Sequence, residues 1–392
     1  MKRKDDFSTG GPAEGTAVGT LPTEQPVFAS EPETDVALWA VIFAGGIGSR
    51  FWPLSTPARP KPLLALVSEQ TLIEDAVGRL QPTVPPGRVL ILTSRDIAPA
   101  IRSVTKDVPE ENVLVEPRPL GTAAALAWAA QEISRRAGPS AIFVAVHADL
   151  AVDYPEAYRR TLRRAAAYAA RENALVSIGV RPSRPETGFG YVLPGEPLDA
   201  DVPLVKGGAA VTRGYVEKPS EAEAVSRIAD GALWHGGIVV GAAGTFLQEL
   251  RLHTTEVRDA LDALAAGNLP GFVGMVRATS LERGLLERTD RLLVLLGDFG
   301  WDDVGTWASL RRARELDDNG NGAIGDVHFV DSDSNVVHSG HGTVVLYGVN
   351  KTLVVTLDGL TFVTTLDRSA DINRLLDSLP GSMRIHPTGL PR

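Results

Sequence analysis

A glycine-rich turn, Gly45-Gly46-Ile47-Gly48-Ser49-Arg50, is followed by Phe51-Trp52-Pro53-Leu54-Ser55 and then by Arg59-Pro60-Lys61. Glycines without a Cβ let backbone N–H groups come close to a phosphate chain. By itself such a turn fits a tight bend equally well. The cations around it tip the balance: Arg50, Arg59 and Lys61 would repel one another unless a polyphosphate lies between them. The segment is not a Walker A loop, because the Gly-Lys-Ser/Thr ending is absent, and not a dinucleotide fingerprint, because Phe51 stands where the third glycine belongs.

Carboxylates form the second group. Asp149, in Val146-His147-Ala148-Asp149-Leu150, closes an apolar run, where it would either cap the next helix or hold a hard cation. A partner carboxylate is expected from Asp298-Phe299-Gly300-Trp301-Asp302-Asp303-Val304-Gly305. Glu116, before Pro117-Arg118-Pro119-Leu120-Gly121-Thr122, is a strand-end carboxylate that either accepts from a ligand or caps the helix that starts at Thr122. Glu217-Lys218-Pro219 pairs a carboxylate suited to vicinal hydroxyls with an ammonium suited to a phosphate.

These residues need a frame. Apolar runs at 37–44, 88–93, 112–115, 141–146 and 174–180 alternate with helical stretches at 72–80, 122–136 and 154–171, the signature of βαβ units in a mostly parallel sheet. Strands are also expected at 189–193, 211–216 and 292–296, and helices at 221–228, 245–264 and 306–315. The arginines at 159, 160, 163 and 164 read as a solvated helix face, and Trp301 and Trp307 as core. After Asp317, short β-rich runs at 327–330, 335–338, 343–346, 352–357 and 360–365 suggest a small β-domain or a few coils of a β-solenoid, with a last helix at 371–376. The expected division is a disordered extension over 1–36, a catalytic unit over 37–316 and a β-rich unit over 317–392.

The 392 residues carry a formal charge of −9, which opposes general nucleic-acid binding. The absence of cysteine removes disulfides and thiolate chemistry and fits a cytoplasmic location. No apolar run is long enough to span a membrane, and the Gly/Pro/Glu-rich N-terminus lacks a secretory apolar core.

Residues 45–61 resemble the signature of the sugar-phosphate nucleotidyltransferases, Gly-Gly-x-Gly-Thr-Arg followed by Pro-Lys, with Ser49 for threonine. The Phe-Trp-Pro-Leu-Ser continuation resembles the mannose-1-phosphate guanylyltransferase branch. Phe299-Gly300-Trp301-Asp302-Asp303-Val304-Gly305-Thr306-Trp307 is similar to that branch's Phe-Gly-Trp-x-Asp-Val-Gly-x-Trp pattern. Arg184-Pro185-Glu186-Thr187-Gly188-Phe189-Gly190-Tyr191 is similar to its Arg-Pro-Glu-Thr-Gly-Tyr-Gly-Tyr stretch. The resemblance covers about residues 38–377 and departs from the pattern at His147, Leu150, Gly121 and His235.

It implies a Rossmann-like, GT-A-like α/β fold with a mostly parallel mixed sheet and a small C-terminal domain like a truncated β-helix. Arg50 and Lys61 would be the catalytic cations. Gly45, Gly46, Gly48, Ser49, Glu116, Gly121 and Thr122 would bind the nucleotide. Gly188, Glu217, Lys218 and His235 would bind the sugar phosphate, and Asp149 and Asp303 would hold Mg²⁺. The implied substrates are GTP and mannose 1-phosphate, giving GDP-mannose, with a homodimer through the C-terminal domain. Two alternatives stand beside this: the same chemistry on another nucleotide or hexose 1-phosphate, and a catalytically silent paralogue that binds nucleotide sugars.

Overall fold

The computed structural model describes residues 37–312 and 316–381. The expected extension over 1–36 lies outside the described residues, as does the end of the helix expected to reach position 315. In chain order the strands are β1 (Leu38–Phe43), β2 (Val89–Ser94), β3 (Val113–Glu116), β4 (Ile142–His147), β5 (Ala151–Val152), β6 (Leu175–Val180), β7 (Gly190–Pro197), β8 (Ala209–Glu217), β9 (Leu233–Ala242), β10 (Leu292–Leu296), β11 (Trp301–Asp302), β12 (Gly322–Val330), β13 (Val336–Tyr347), β14 (Thr352–Leu357) and β15 (Leu360–Thr365). The helices are α1 (Leu72–Leu80), α2 (Ala98–Val104), α3 (Thr122–Ala137), α4 (Pro155–Glu172), α5 (Glu221–Ala229), α6 (Ala243–His253), α7 (Leu261–Ala265), α8 (Leu269–Met275), α9 (Trp307–Arg312) and α10 (Ile372–Ser378).

A nine-stranded mixed sheet has the order β3-β2-β1-β4-β9-β6-β10-β8-β7. β1 pairs in parallel with β2 on one side and β4 on the other. Every strand of this sheet except β8 and β9 runs the same way. The strands nearest the middle are apolar on both faces because helices cover both. One layer buries Trp39, Leu126, Phe143, Phe246 and Leu285; the other buries Ile42, Ile91, Tyr158, Leu162 and Phe299.

One strand goes beyond the expectations, and two expectations are corrected. The residues of β9, with glycines at 236, 237 and 241, form a ten-residue strand that inserts antiparallel between β4 and β6. Glycine's low strand propensity hides it in the sequence; the reason for Gly236 and Gly237 is a register shift opposite Ser177–Gly179, with Gly237 at φ 67°. The helix expected over 245–264 stops at His253, where Thr254 leaves the helical region (φ −114°, ψ 87°), and α-helix resumes only as α7 at Leu261. The arginines of α4 do not form a solvated face: Arg164 is buried, Arg159 donates to the Arg79 carbonyl at 3.2 Å, and Arg163 donates to the Thr83 hydroxyl at 3.1 Å.

Beyond Leu316, β12, β13 and β14 stack in parallel and β15 returns antiparallel. Asparagines carry the turns between coils. Asn335 N–H donates to Asn321 Oδ1 at 3.0 Å, and Thr352 N–H donates to Asn335 Oδ1 at 2.9 Å. The inner residues Val336, Leu353 and Val355 pack in one core with Phe51, Trp52, Leu54 and Trp307 of the larger unit. No described helix is long and apolar enough to cross a membrane.

Candidate active site

The chain leaves β1 toward β2 on one side and comes back to β4 on the other, so a crevice opens at their carboxyl ends, where open α/β sheets bind ligands. A cleft of about 790 Å³ lies there. Its walls come from the loops after β1, β2, β3 and β4. Of the expected residues, Gly45, Gly46, Gly48, Arg50, Lys61, Glu116, Gly121, Thr122 and Asp149 all line it.

The glycine turn is fixed by backbone bonds. Phe51 N–H reaches the Gly48 carbonyl at 2.9 Å, and Lys61 N–H reaches the Ile47 carbonyl at 2.9 Å. Gly48 has φ 73°, and a Cβ there would overlap the Lys61 side chain, so both conformation and space require glycine. Lys61 is buried, lies 5.2 Å over the Phe51 ring, and forms an ion pair with Asp149. Burial works to raise the Asp149 carboxyl, but the charge of Lys61, aided by His147 and the Lys61 hydrogen bond, holds it below the ordinary value. Arg50 is exposed on the rim. Ser49 does not line the cleft: its hydroxyl donates to Asn373 Oδ1 at 3.2 Å.

Glu116 accepts from the Leu120 N–H at 3.1 Å through Oε2, while Oε1 faces Gly45. The cap residue of α3 is Gly121, with no side-chain cap bond, so the capping reading of Glu116 is not the one observed. Burial raises the Glu116 carboxyl, opposed by the Leu120 bond. Gly121, at φ 80°, presses on the Thr279 backbone, which leaves no room for a side chain. The Thr122 hydroxyl accepts from Leu281 N–H at 2.8 Å, which ties the start of α3 to the segment leading into the π-helical turn Glu282–Leu286.

Asp303 reaches the same region through β11. That strand pairs antiparallel with β5, with Asp302 opposite Ala151, so Asp303 follows directly after β11 and Asp149 lies two residues before Ala151. Its Oδ2 lies against Gly305, which lines the cleft. Among the described residues there is no cluster of three or more potential ligands. Mg²⁺ prefers oxygen donors and is commonly held by one or two carboxylates, with substrate phosphates and water completing its octahedron. The residues present fit that ion.

The sugar-phosphate candidates form a second cluster outside the cleft wall. Glu217, 8% exposed at its side chain, holds Lys218 at 3.3 Å and accepts from the Tyr215 hydroxyl at 3.3 Å. Lys218 has φ 53° and an exposed side chain. Gly190 lies opposite Glu217, and a Cβ there would overlap the Tyr215 hydroxyl, so it is Gly190 that the packing requires; Gly188, exposed, donates its N–H to Glu186 at 3.2 Å. His235 is buried, bonded to the Ser177 hydroxyl at 2.8 Å and edge-on to Tyr215 at 5.6 Å. Burial lowers its imidazole to about 4, with Glu282 opposing and His147 adding to the shift.

His147 joins the two clusters: it lines the cleft, stacks on Phe43 at 5.1 Å and faces Gly237. In the sequence it stands out only as a departure from the branch pattern. Tyr215, Glu282, Glu287 and Ser177 carry no sequence signal of their own. Glu287 accepts from Glu217 N–H at 2.7 Å, and Glu282 acts on His235, Tyr215 and Glu217 alike.

A family model described as nucleotidyl transferase matches residues 39–320. A mannose-1-phosphate guanylyltransferase from Sinorhizobium fredii is 28% identical over 365 residues, covering 88% of this chain and 70% of its own length. The alginate biosynthesis protein AlgA of Pseudomonas putida is 32% identical over 355 residues, covering 86% of this chain and 71% of its own length. A solved structure described as a mannose-1-phosphate geranyltransferase from Thermus thermophilus superimposes with a TM-score of 0.79 at 32% identity, covering 88% of this chain and 99% of that one.

Proposed function

The chain belongs to the nucleotidyl transferase family, and from that premise we propose that it transfers GMP from GTP to mannose 1-phosphate, releasing pyrophosphate and GDP-mannose. One observation carries the reading: a buried lysine and a rim arginine converge on a glycine-rich turn at the switch point of the sheet, with a carboxylate paired to the lysine. Names of relatives that cover most of the chain support the substrates.

A phosphate oxygen of mannose 1-phosphate attacks the α-phosphorus in line; the new P–O bond forms as the bond to the β-phosphate oxygen breaks, and pyrophosphate carries away the electron pair. The nucleophile is already anionic, so no protein base is required. The turn at 45–48 presents backbone to the triphosphate. Arg50 and Lys61 offset the charge that gathers on the leaving pyrophosphate, and they act strongly because Lys61 is preorganised in a buried site. Asp149 and Asp303 would hold Mg²⁺, which supplies further neutralisation of phosphate charge. Glu116 offers its free oxygen to guanine N1 and N2. Glu217 accepts from mannose hydroxyls, Lys218 pairs the sugar phosphate, and Gly188 and His235 border the hexose.

The division into a catalytic unit over 37–316 and a β-rich unit over 317–392 belongs to the same proposal, supported by the family match ending at 320 and the second sheet opening at Gly322. So do a cytoplasmic location and a dimer through the β-rich unit.

The test is pyrophosphate release across a panel of nucleoside triphosphates and hexose 1-phosphates. Preference for GTP with mannose 1-phosphate is the expected outcome; a preference for another pair removes the assignment while leaving the reaction class.

A further inference from the structure

The turn that carries Ser49, Arg50 and Phe51 does not stand on the sheet alone. Its outer side meets the far end of the chain. The Ser49 hydroxyl donates to Asn373 Oδ1 at 3.2 Å, across 324 positions of sequence. Phe51 is fully buried in a core that also holds Val336, Leu353, Val355 and Ile372. Trp52 meets Phe362 edge-to-face at 5.3 Å. So Ser49, Phe51 and Trp52 are each held by β13–β15 or α10. Arg50, between them, is exposed on the rim.

That geometry has an energetic meaning. A phosphate-gripping turn rich in glycine loses much conformational entropy when it orders, and whatever orders it beforehand improves ligand binding by that amount. Here the inner anchor is the Gly48–Lys61 packing, and the outer anchor is the C-terminal unit. We propose that the β-rich unit braces the triphosphate-binding turn in cis, with Asn373 as a positioning residue that sets the affinity for the nucleoside triphosphate from outside the cleft. The inference rests on the reading of the cleft as the nucleotide site.

The experiment uses the full chain. KM for GTP, KM for mannose 1-phosphate, kcat and the unfolding midpoint are measured for wild type, Asn373→Ala, Ser49→Ala, Ser49→Thr and the double alanine variant, with the GTP dissociation constant taken by calorimetry alongside. Removing one hydrogen bond at the turn is expected to raise KM and Kd for GTP about 3- to 10-fold. KM for mannose 1-phosphate and the unfolding midpoint stay at their wild-type values. The double variant is no worse than either single one, and Ser49→Thr, which keeps the hydroxyl, recovers the GTP affinity that Ser49→Ala loses. The brace is overturned if Asn373→Ala leaves GTP binding unchanged, if both KM values rise together with a fall in the midpoint, or if the two alanine effects add in full. Absence of wild-type turnover with these substrates would instead overturn the functional reading; the ratio of triphosphate dissociation constants between variants still decides the brace.

Discussion

Lys61 and Asp149, 88 positions apart, form an ion pair across the floor of the cleft. Lys61 is almost wholly enclosed, between the Phe51 ring and Gly48, whereas the Asp149 side chain is 37% exposed toward the cleft. With the cleft taken as the proposed nucleotide site, the pair keeps a cation in place for incoming phosphate charge, and its acceptor is partly open to solvent. Replacing Lys61 by Met keeps the stem and removes the charge. Turnover is expected to fall by about 10²- to 10³-fold, the range seen when one preorganised charge-stabilising donor is lost. KM for mannose 1-phosphate stays unchanged. Lys61→Arg does not restore activity, since the forked head needs width that Phe51 and Gly48 deny it. Steady-state kinetics with each substrate varied in turn check this.

Gly121 stands where the branch it resembles commonly has asparagine. Asparagine tolerates left-handed conformations, yet Gly121 has φ 80° and ψ 151° and lies against the backbone N and O of Thr279. This region is open essentially to glycine alone, and the neighbour is main chain that cannot rotate away. Gly121→Asn is expected to lower stability by about 1 to 3 kcal/mol and to loosen the start of α3, raising KM for GTP. Denaturant unfolding followed by nucleotide titration measures both effects. An unaltered unfolding midpoint would show that the Thr279 segment gives way.

How far such detail was legible in the sequence depends on its range. The ends of β1 and β4 were readable because parallel strands buried on both faces are continuous apolar runs, and the residues just after them, Gly45 and Asp149, then had to meet at the crevice. β9 was hidden by its own glycines, which a register shift requires and local propensity penalises. Glu282 and Asn373 were invisible for a different reason. Each acts through a contact between distant segments, and a single acid or amide in an ordinary helical stretch gives no sign of it. The arginines of α4 misled because a run of cations on a helix resembles a wet surface until its neighbours are known.

His235 makes stability depend on pH. Its imidazole, at about 4 in the folded protein, titrates near its ordinary value of 6.5 once unfolded. Between these values the unfolded chain binds the extra proton, so acid favours unfolding. The neutral buried ring costs nothing above pH 6.5, and stability falls progressively as pH drops toward 4, by up to about 3 kcal/mol. His235→Asn, which cannot titrate, flattens that part of the profile. Unfolding midpoints of the two proteins from about pH 7.5 down to about pH 4 provide the comparison; parallel curves would show that other groups carry the acid sensitivity.

Glu282 acts electrostatically on Glu217, Tyr215 and His235 alike, and Tyr215 touches both Glu217 and His235. Burial raises the Glu217 carboxyl first, and the Glu282 charge raises it further, with Lys218 opposing. Burial likewise lifts the Tyr215 hydroxyl well above its usual range, with both carboxylates contributing. Two like charges held together repel unless something with hydroxyl donors lies between them, and a hexose has such donors. Glu282→Gln removes one charge and keeps the shape. It is expected to stabilise the protein slightly while raising KM for mannose 1-phosphate about 10-fold, the worth of one charged hydrogen bond; KM for GTP is untouched. Glu217→Gln shifts the same KM in the same direction, and the double variant reveals by its departure from additivity whether the two carboxylates grip one ligand. Additive effects on KM would mean that Glu282 acts on the fold of the π-helical turn and not on the sugar.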